Sequence, residues 1–221
     1  MGKMVSFKRP DGKSVNGYLD EPAAGGNAPG MVVIQEWWGL NDQIKRVADR
    51  FAAAGYNALA PDLYKGRVTQ QPDEANHLMN GLDFVGASDQ DIAGAVKHLA
   101  DLSRKVGVTG FCLGGALTIA ACARVPSIAC GVPYYGVPPT ELADPAKIKV
   151  PIQGHFANKD DWCTPQVVNE FEKAMTKAGN KPEVYRYDAA HAFAKDDGAA
   201  YDATAAKQAW DRTLAFLGKQ L

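Results

Sequence analysis

No run of this 221-residue chain comes near the ~20 consecutive apolar residues that cross a bilayer, which excludes a spanning helix. Net charge is also nearly absent. The 24 Lys and Arg are set against 25 Asp and Glu, leaving no basic stripe for nucleic acid and no acidic tail. Cysteines are few, at 112, 122, 130 and 163, with no C-x-x-C and no paired zinc spacing. Neither a disulfide framework nor a structural zinc site is implied. Met1–Ser6 lacks the apolar core and cleavage pattern of a signal peptide. Gly2 with Ser6 fits the short myristoylation pattern, but nothing else in the chain points to a membrane. These absences leave a cytoplasmic protein as the expectation, and a reducing compartment suits a working thiol.

What is present centres on Gly110-Phe111-Cys112-Leu113-Gly114, a G-x-nucleophile-x-G pattern with cysteine at the nucleophile position. The apolar strand Lys105–Thr109 runs into it, and a small-residue helix, Gly115–Ala123, leaves it. Strand, sharp turn and helix form the context in which such a pattern exposes a nucleophile above a sheet. The following helix N-terminus favours an anion there. The plainer reading is a buried core cysteine beside a Gly-rich turn.

The remaining periodicities predict an α/β fold with a mostly parallel central sheet and helices on both faces, as one domain over residues 1–221. A hairpin is expected from Val5–Phe7 and Val15–Leu19 around Pro10-Asp11-Gly12-Lys13, then a loop from Pro22 to Gly30. Met31–Gln35 reads as a strand buried on both faces, and Tyr56–Ala60 as the next strand. Between them a helix capped by Asn41 or Asp42 runs to Ala54. Residues 66–87 form a polar excursion with a short helix at Glu74–Leu82, followed by a helix over Asp89–Leu102. Further strands are expected at Ile128–Pro133, Lys149–Phe156 and Glu183–Asp188. Helices are expected from Thr164-Pro165 to Ala178 and from Ala200 to Leu217.

A thiol nucleophile needs a base, and an elbow's partners follow it in the order acid, then histidine. Of four histidines, His77 and His98 precede the cysteine and read as solvated, while His155 inside an apolar strand reads as a satisfied core histidine. His191 lies just past a strand, where open α/β sheets place their sites. Asn158-Lys159-Asp160-Asp161-Trp162 offers two acids beyond the preceding strand, and position alone does not choose between Asp160 and Asp161. Glu36 ends a buried strand just before two tryptophans. Such a carboxylate either faces water or sits beside the thiol with a raised pKa.

Five segments closely resemble the dienelactone hydrolases, in that family's order and across nearly the whole chain. They are Gln35-Glu36-Trp37-Trp38-Gly39-Leu40, Pro61-Asp62-Leu63-Tyr64, Gly110–Gly115, Tyr134-Tyr135-Gly136 and Ala190-His191-Ala192-Phe193. The resemblance implies an α/β-hydrolase with Cys112 as nucleophile, His191 as base and Asp160 as the third member. Asp160 is preferred because the family acid precedes an aromatic by two positions, as Asp160 precedes Trp162. It also implies an oxyanion hole from the N–H groups of Leu113 and Trp37. Glu36 matches a glutamate that holds the resting thiol and helps deprotonate it when substrate binds. Two arginines of the family grip a substrate carboxylate. Lys195 stands at the second of those positions, and Arg67 is the single arginine in the excursion.

The expected activity is cysteine-dependent hydrolysis of a small-molecule ester or lactone, of the dienelactone enol-lactone type and with room for a substrate carboxylate, through an acyl-thioester. No metal, organic cofactor, membrane or nucleic acid takes part, in a monomer or small homo-oligomer. Trp38, Tyr64, Phe193 and Lys195 are the expected substrate-binding residues, although core packing accounts for the aromatics about equally well. Alternatives are a general short-chain carboxylesterase, or a redox-sensing or binding protein on the same fold, since a stabilised thiolate is also oxidation-prone.

Overall fold

A computed structural model describes residues 2–23, 25 and 27–221. Met1, Ala24 and Gly26 lie outside the described residues, and with them part of the amino-terminal reading and of the Pro22–Gly30 loop.

The chain runs through β1 (Lys3–Lys8), β2 (Ser14–Asp20), β3 (Gly30–Ile34), α1 (Asp42–Ala53), β4 (Asn57–Pro61) and α2 (Pro72–Asn80). A continuous helical stretch follows: α3 (Phe84–Gly86), a π-helical turn (Ala87–Ile92) and α4 (Ala93–Ala100). Next come β5 (Val106–Phe111), α5 (Leu113–Arg124), β6 (Cys130–Tyr134), β7 (Gln153–Lys159), α6 (Pro165–Lys177), β8 (Glu183–Ala190) and α7 (Ala203–Gln220). The eight strands form one sheet in the order β1-β2-β4-β3-β5-β6-β7-β8. The hairpin β1–β2 joins β4 antiparallel, and every other pairing is parallel.

β3 shows why the sheet needs helices on both sides. Its alternating side chains enter different cores: Met31 and Val33 join one apolar cluster, Val32 and Ile34 the other. All four are fully buried, and each contributes about 1.5–3 kcal/mol by leaving water. Helices α1 and α7 cover the Met31 side through Ile44, Phe51, Ala209 and Phe216. Helices α4, α5 and α6 cover the Val32 side through Val96, Leu117 and Phe171.

Several boundaries differ from the expectations, each for a local reason. The excursion helix starts at Pro72, in the first-turn position proline favours, rather than at Glu74, and ends at Asn80. The next helix begins at Phe84 instead of Asp89, because the Asp83 carboxylate caps the Gly86 N–H at 2.9 Å. The seventh strand was expected from Lys149. Pro151 cannot donate to a ladder, so only an isolated Gly131–Ile152 bridge precedes Gln153, and pairing then extends to Lys159. The last helix starts at Ala203, where the Asp202 carboxylate accepts from the Thr204 and Ala205 N–H groups, and runs on to Gln220.

His77 is exposed, and His98 is half-buried with its ring stacked on Phe7. His155 is fully buried between Tyr187 Oη at 2.8 Å and Gln153 Oε1 and Thr213 Oγ1, both at 3.1 Å. Burial and the nearby Arg212 push its pKa down to about 3, so it packs as a neutral ring.

Candidate active site

Cys112 sits between β5 and α5 with φ 56° and ψ −116°, a left-handed conformation that costs a non-glycine residue about 1–3 kcal/mol. The surrounding packing holds it there. Its N–H donates to the Tyr134 carbonyl at 3.1 Å, and its own carbonyl accepts from Gly115 and Ala116. The turn is tight enough to require glycine beside it. A Cβ at Gly114 would lie 2.5 Å from the Ile34 carbonyl oxygen, and one at Gly136 would collide with the Cys112 carbonyl oxygen. The thiol is buried, 8% exposed. Burial first, and the Glu36 carboxylate second, push its pKa well above the ordinary thiol value; the Leu113 N–H at the start of α5 opposes them. Burial and the carboxylate both favour the thiol over the thiolate.

Beyond β7 the chain folds over Asp160, which is buried at 3% exposure. Its Oδ1 accepts from the Trp162 N–H at 2.9 Å and the Cys163 N–H at 2.8 Å. Its Oδ2 lies 2.7 Å from His191 Nδ1. Asp161, the other acid in this loop, is exposed. The His191 ring is held edge-on by Tyr135 at 5.2 Å and by Trp162 at 5.3 Å between centroids. The next residue, Ala192, turns the chain with φ 62°.

Glu36, just past β3, is 2% exposed. Burial pushes its pKa up to about 7, against the opposing pull of Lys195, of His191 and of the Tyr135 hydroxyl. That hydroxyl donates to Glu36 Oε1 at 3.3 Å. Tyr135 is fully buried with φ 35°, and it stands between the carboxylate and the imidazole. No role for Tyr135 was read from the sequence. Its signal in the sequence is its place in the family-like segment Tyr134-Tyr135-Gly136, which does not say what its hydroxyl meets.

Cys112, His191 and Glu36 border one cavity of about 440 Å³, with Trp37, Trp38, Met79, Trp162, Lys195 and Gly198–Ala200 among the other walls. Trp162, 48% exposed, stands at its edge. Two expected substrate contacts, Phe193 and Tyr64, are not among its walls, although the Tyr64 hydroxyl lies close enough to Cys112 for the two to interact electrostatically. Phe193 is fully buried in the core, its ring 5.4 Å from Tyr135 and 4.9 Å from Tyr187. Tyr64 is buried among the α2–α5 core residues and lines a separate polar groove with Arg67. Phe193 follows the turn at Ala192, and the Tyr64 N–H donates to Asp62 Oδ1 at 3.2 Å. Among the described residues, no group of three or more His, Cys, Asp or Glu side chains is arranged to hold a metal ion. No helix there is long and apolar enough to cross a membrane.

A doubly covered, mostly parallel sheet with a cysteine elbow and an Asp–His pair beyond later strands defines an α/β-hydrolase. The dienelactone hydrolase family profile matches residues 15–221, and the chain belongs to that family of ester hydrolases. Among curated relatives, "Protein usf" of Aquifex pyrophilus is 39% identical over 233 residues, covering 100% of both chains. "Putative carboxymethylenebutenolidase" of Aquifex aeolicus is 33% identical, covering 98% of this chain and 97% of its own. Among solved structures, the "Putative Dienelactone Hydrolase" of Klebsiella pneumoniae superposes with a TM-score of 0.84 at 25% identity, covering 99% of each chain.

Proposed function

We propose that this chain hydrolyses carboxylic esters and lactones, of the dienelactone enol-lactone type, through an acyl-thioester on Cys112. The observation that carries the reading is the 2.7 Å contact of Asp160 Oδ2 with His191 Nδ1, with that imidazole and the elbow thiol opening on one cavity. Asp160 holds the tautomer in which Nε2 is free to accept a proton. The resting thiol must lose its proton before it attacks. Glu36 (pKa about 7) and His191 are the two bases on the cavity wall. A substrate that closes the cavity displaces water and strengthens both proton acceptors' interactions with the sulfur.

Attack forms an S–C bond at the carbonyl carbon, and the carbonyl oxygen takes up the negative charge. The N–H groups of Leu113 and Trp37 are the donors assigned to that oxygen, and such donors contribute about 3–4 kcal/mol each to transition-state stabilisation elsewhere. Collapse breaks the C–O bond. An enolate leaving group departs with little protonation, whereas an alkoxide takes the proton that came from the thiol. Water, deprotonated by His191, then attacks the thioester. The carboxylic acid leaves and the thiol regains its proton. Simple alkyl esters, with their more basic leaving groups, turn over more slowly. A redox-sensing role is disfavoured by the buried, protonated sulfur.

The test compares wild type with Cys112→Ala on p-nitrophenyl acetate and on an enol lactone. Activity confined to wild type, with an acyl adduct on Cys112 in acid-quenched samples, is the expected result. Equal hydrolysis by both proteins sinks the reading.

A further inference from the structure

The cavity holds one Lys or Arg among its described walls, Lys195, and that cation is already engaged. Its ammonium forms an ion pair with Asp197, two residues on. Asp197 is itself anchored: its Oδ2 lies 3.0 Å from Arg46 Nη2 on α1, and the same guanidinium reaches Asp196 Oδ1 at 2.7 Å. The two cations and two anions sum to zero, although Lys195, the member on the cavity wall, still opposes the rise in the Glu36 pKa. Only 17% of the Lys195 side chain is exposed, and its stem packs where a Cβ on Gly198 would come within 3.2 Å. Arg67 offers no substitute. It pairs with Glu74 at 3.2 Å and lines a different groove. Indole and thioether surface from Trp37, Trp38, Trp162 and Met79 makes up much of the remaining wall.

Building on the hydrolase reading, we infer that Asp197 sets the substrate class. By occupying Lys195 it makes the cavity select esters and lactones whose flanking groups are uncharged and apolar, over those that carry a carboxylate. A substrate carboxylate would have to displace Asp197 from Lys195 while Arg46 still holds the other oxygen. It would also enter beside the buried Glu36, where a second anion is repelled. Selectivity then comes from a built-in competitor, a repulsive element rather than a missing contact.

The test uses two esters with one leaving group, p-nitrophenyl pentanoate and the p-nitrophenyl half-ester of glutaric acid, assayed as kcat/KM. Wild type should favour the neutral ester by about tenfold or more, the discrimination expected of a single unfavourable charge contact. Asp197→Asn should raise the glutarate-to-pentanoate ratio by about tenfold, mainly through KM for the half-ester, as Lys195 becomes free. Adding Lys195→Met to Asp197→Asn should erase that gain, which a merely structural role for Asp197 does not predict. A wild-type preference for the half-ester, or a ratio unmoved by Asp197→Asn, overturns the inference and leaves the hydrolase reading intact. Turnover of neither ester overturns both.

Discussion

Replacing Asp160 by asparagine changes almost no volume, and the loop dictates how the new amide must lie. Two backbone N–H groups, from Trp162 and Cys163, donate to Oδ1 at 2.9 and 2.8 Å, so only the amide oxygen fits there. The NH₂ is then forced into the place of Oδ2, 2.7 Å from His191 Nδ1. Nδ1 must accept from that NH₂, which moves the ring proton to Nε2. His191 then presents a donor where the mechanism needs an acceptor. The equivalent exchange in a serine triad lowers kcat by on the order of 10⁴, and a similar loss is expected here. At 1.36 kcal/mol per decade that is about 5 kcal/mol of activation free energy. Stability should fall by no more than about 1 kcal/mol, because both loop hydrogen bonds survive. The assay is steady-state hydrolysis of an enol lactone, alongside thermal unfolding and ¹⁵N chemical shifts of the His191 ring. Turnover within about tenfold of wild type, with the Nε2–H tautomer established by NMR, would refute the assigned role of Asp160.

Two further perturbations test other parts of the site. Glu36 has a folded pKa raised to about 7 from 4.5, so the folded state holds its proton more tightly than the unfolded chain. Stability from this group is full below about 4.5 and declines as pH rises through about 7, a cost of roughly 3 kcal/mol at pH 8. Glu36→Gln should therefore raise stability in urea titrations at pH 8 and change it little at pH 4.5, while lowering turnover. A variant no more stable than wild type at pH 8 contradicts the buried-carboxylate assignment. Gly136→Ala pushes a methyl group against the Cys112 carbonyl oxygen, so it should tilt the elbow. Activity should fall by about tenfold or more while circular dichroism stays native, since small misplacements of a reacting atom are costly. Undiminished kcat would show that the elbow tolerates the shift.

The positions of Cys112 and His191 were legible because each depends on local chain chemistry: a Gly-flanked turn between strand and helix, and a loop at a strand's end. The contact between His191 and Asp160 rather than Asp161 was not legible from position. It depends on which carboxylate the Trp162 and Cys163 amides capture, and that is a property of the folded loop. The contacts of Tyr135 are illegible for a related reason. Its contacts to Glu36 and His191 join residues about a hundred and fifty positions apart in all, from 36 to 191, and no periodicity encodes them. Phe193 and Tyr64 misled because aromatic residues serve cores and pockets alike, and only burial separates the two uses. Strand and helix types followed from hydrophobic period, while their ends shifted with single residues such as Pro151 and Asp83.

The sheet order has a consequence for how freely this enzyme can change. Glu36, Cys112, Asp160 and His191 follow β3, β5, β7 and β8, all fixed to one hydrogen-bonded frame. β8 lies three neighbours from β5, roughly 14 Å at ordinary strand spacing, and His191 is the first residue beyond it. The chain that turns at Ala192 then supplies a wall of the cavity through Lys195 and Gly198–Ala200. Substitutions downstream of residue 192 would redraw that wall while Glu36, Cys112 and Asp160 stay fixed to the strands that carry them.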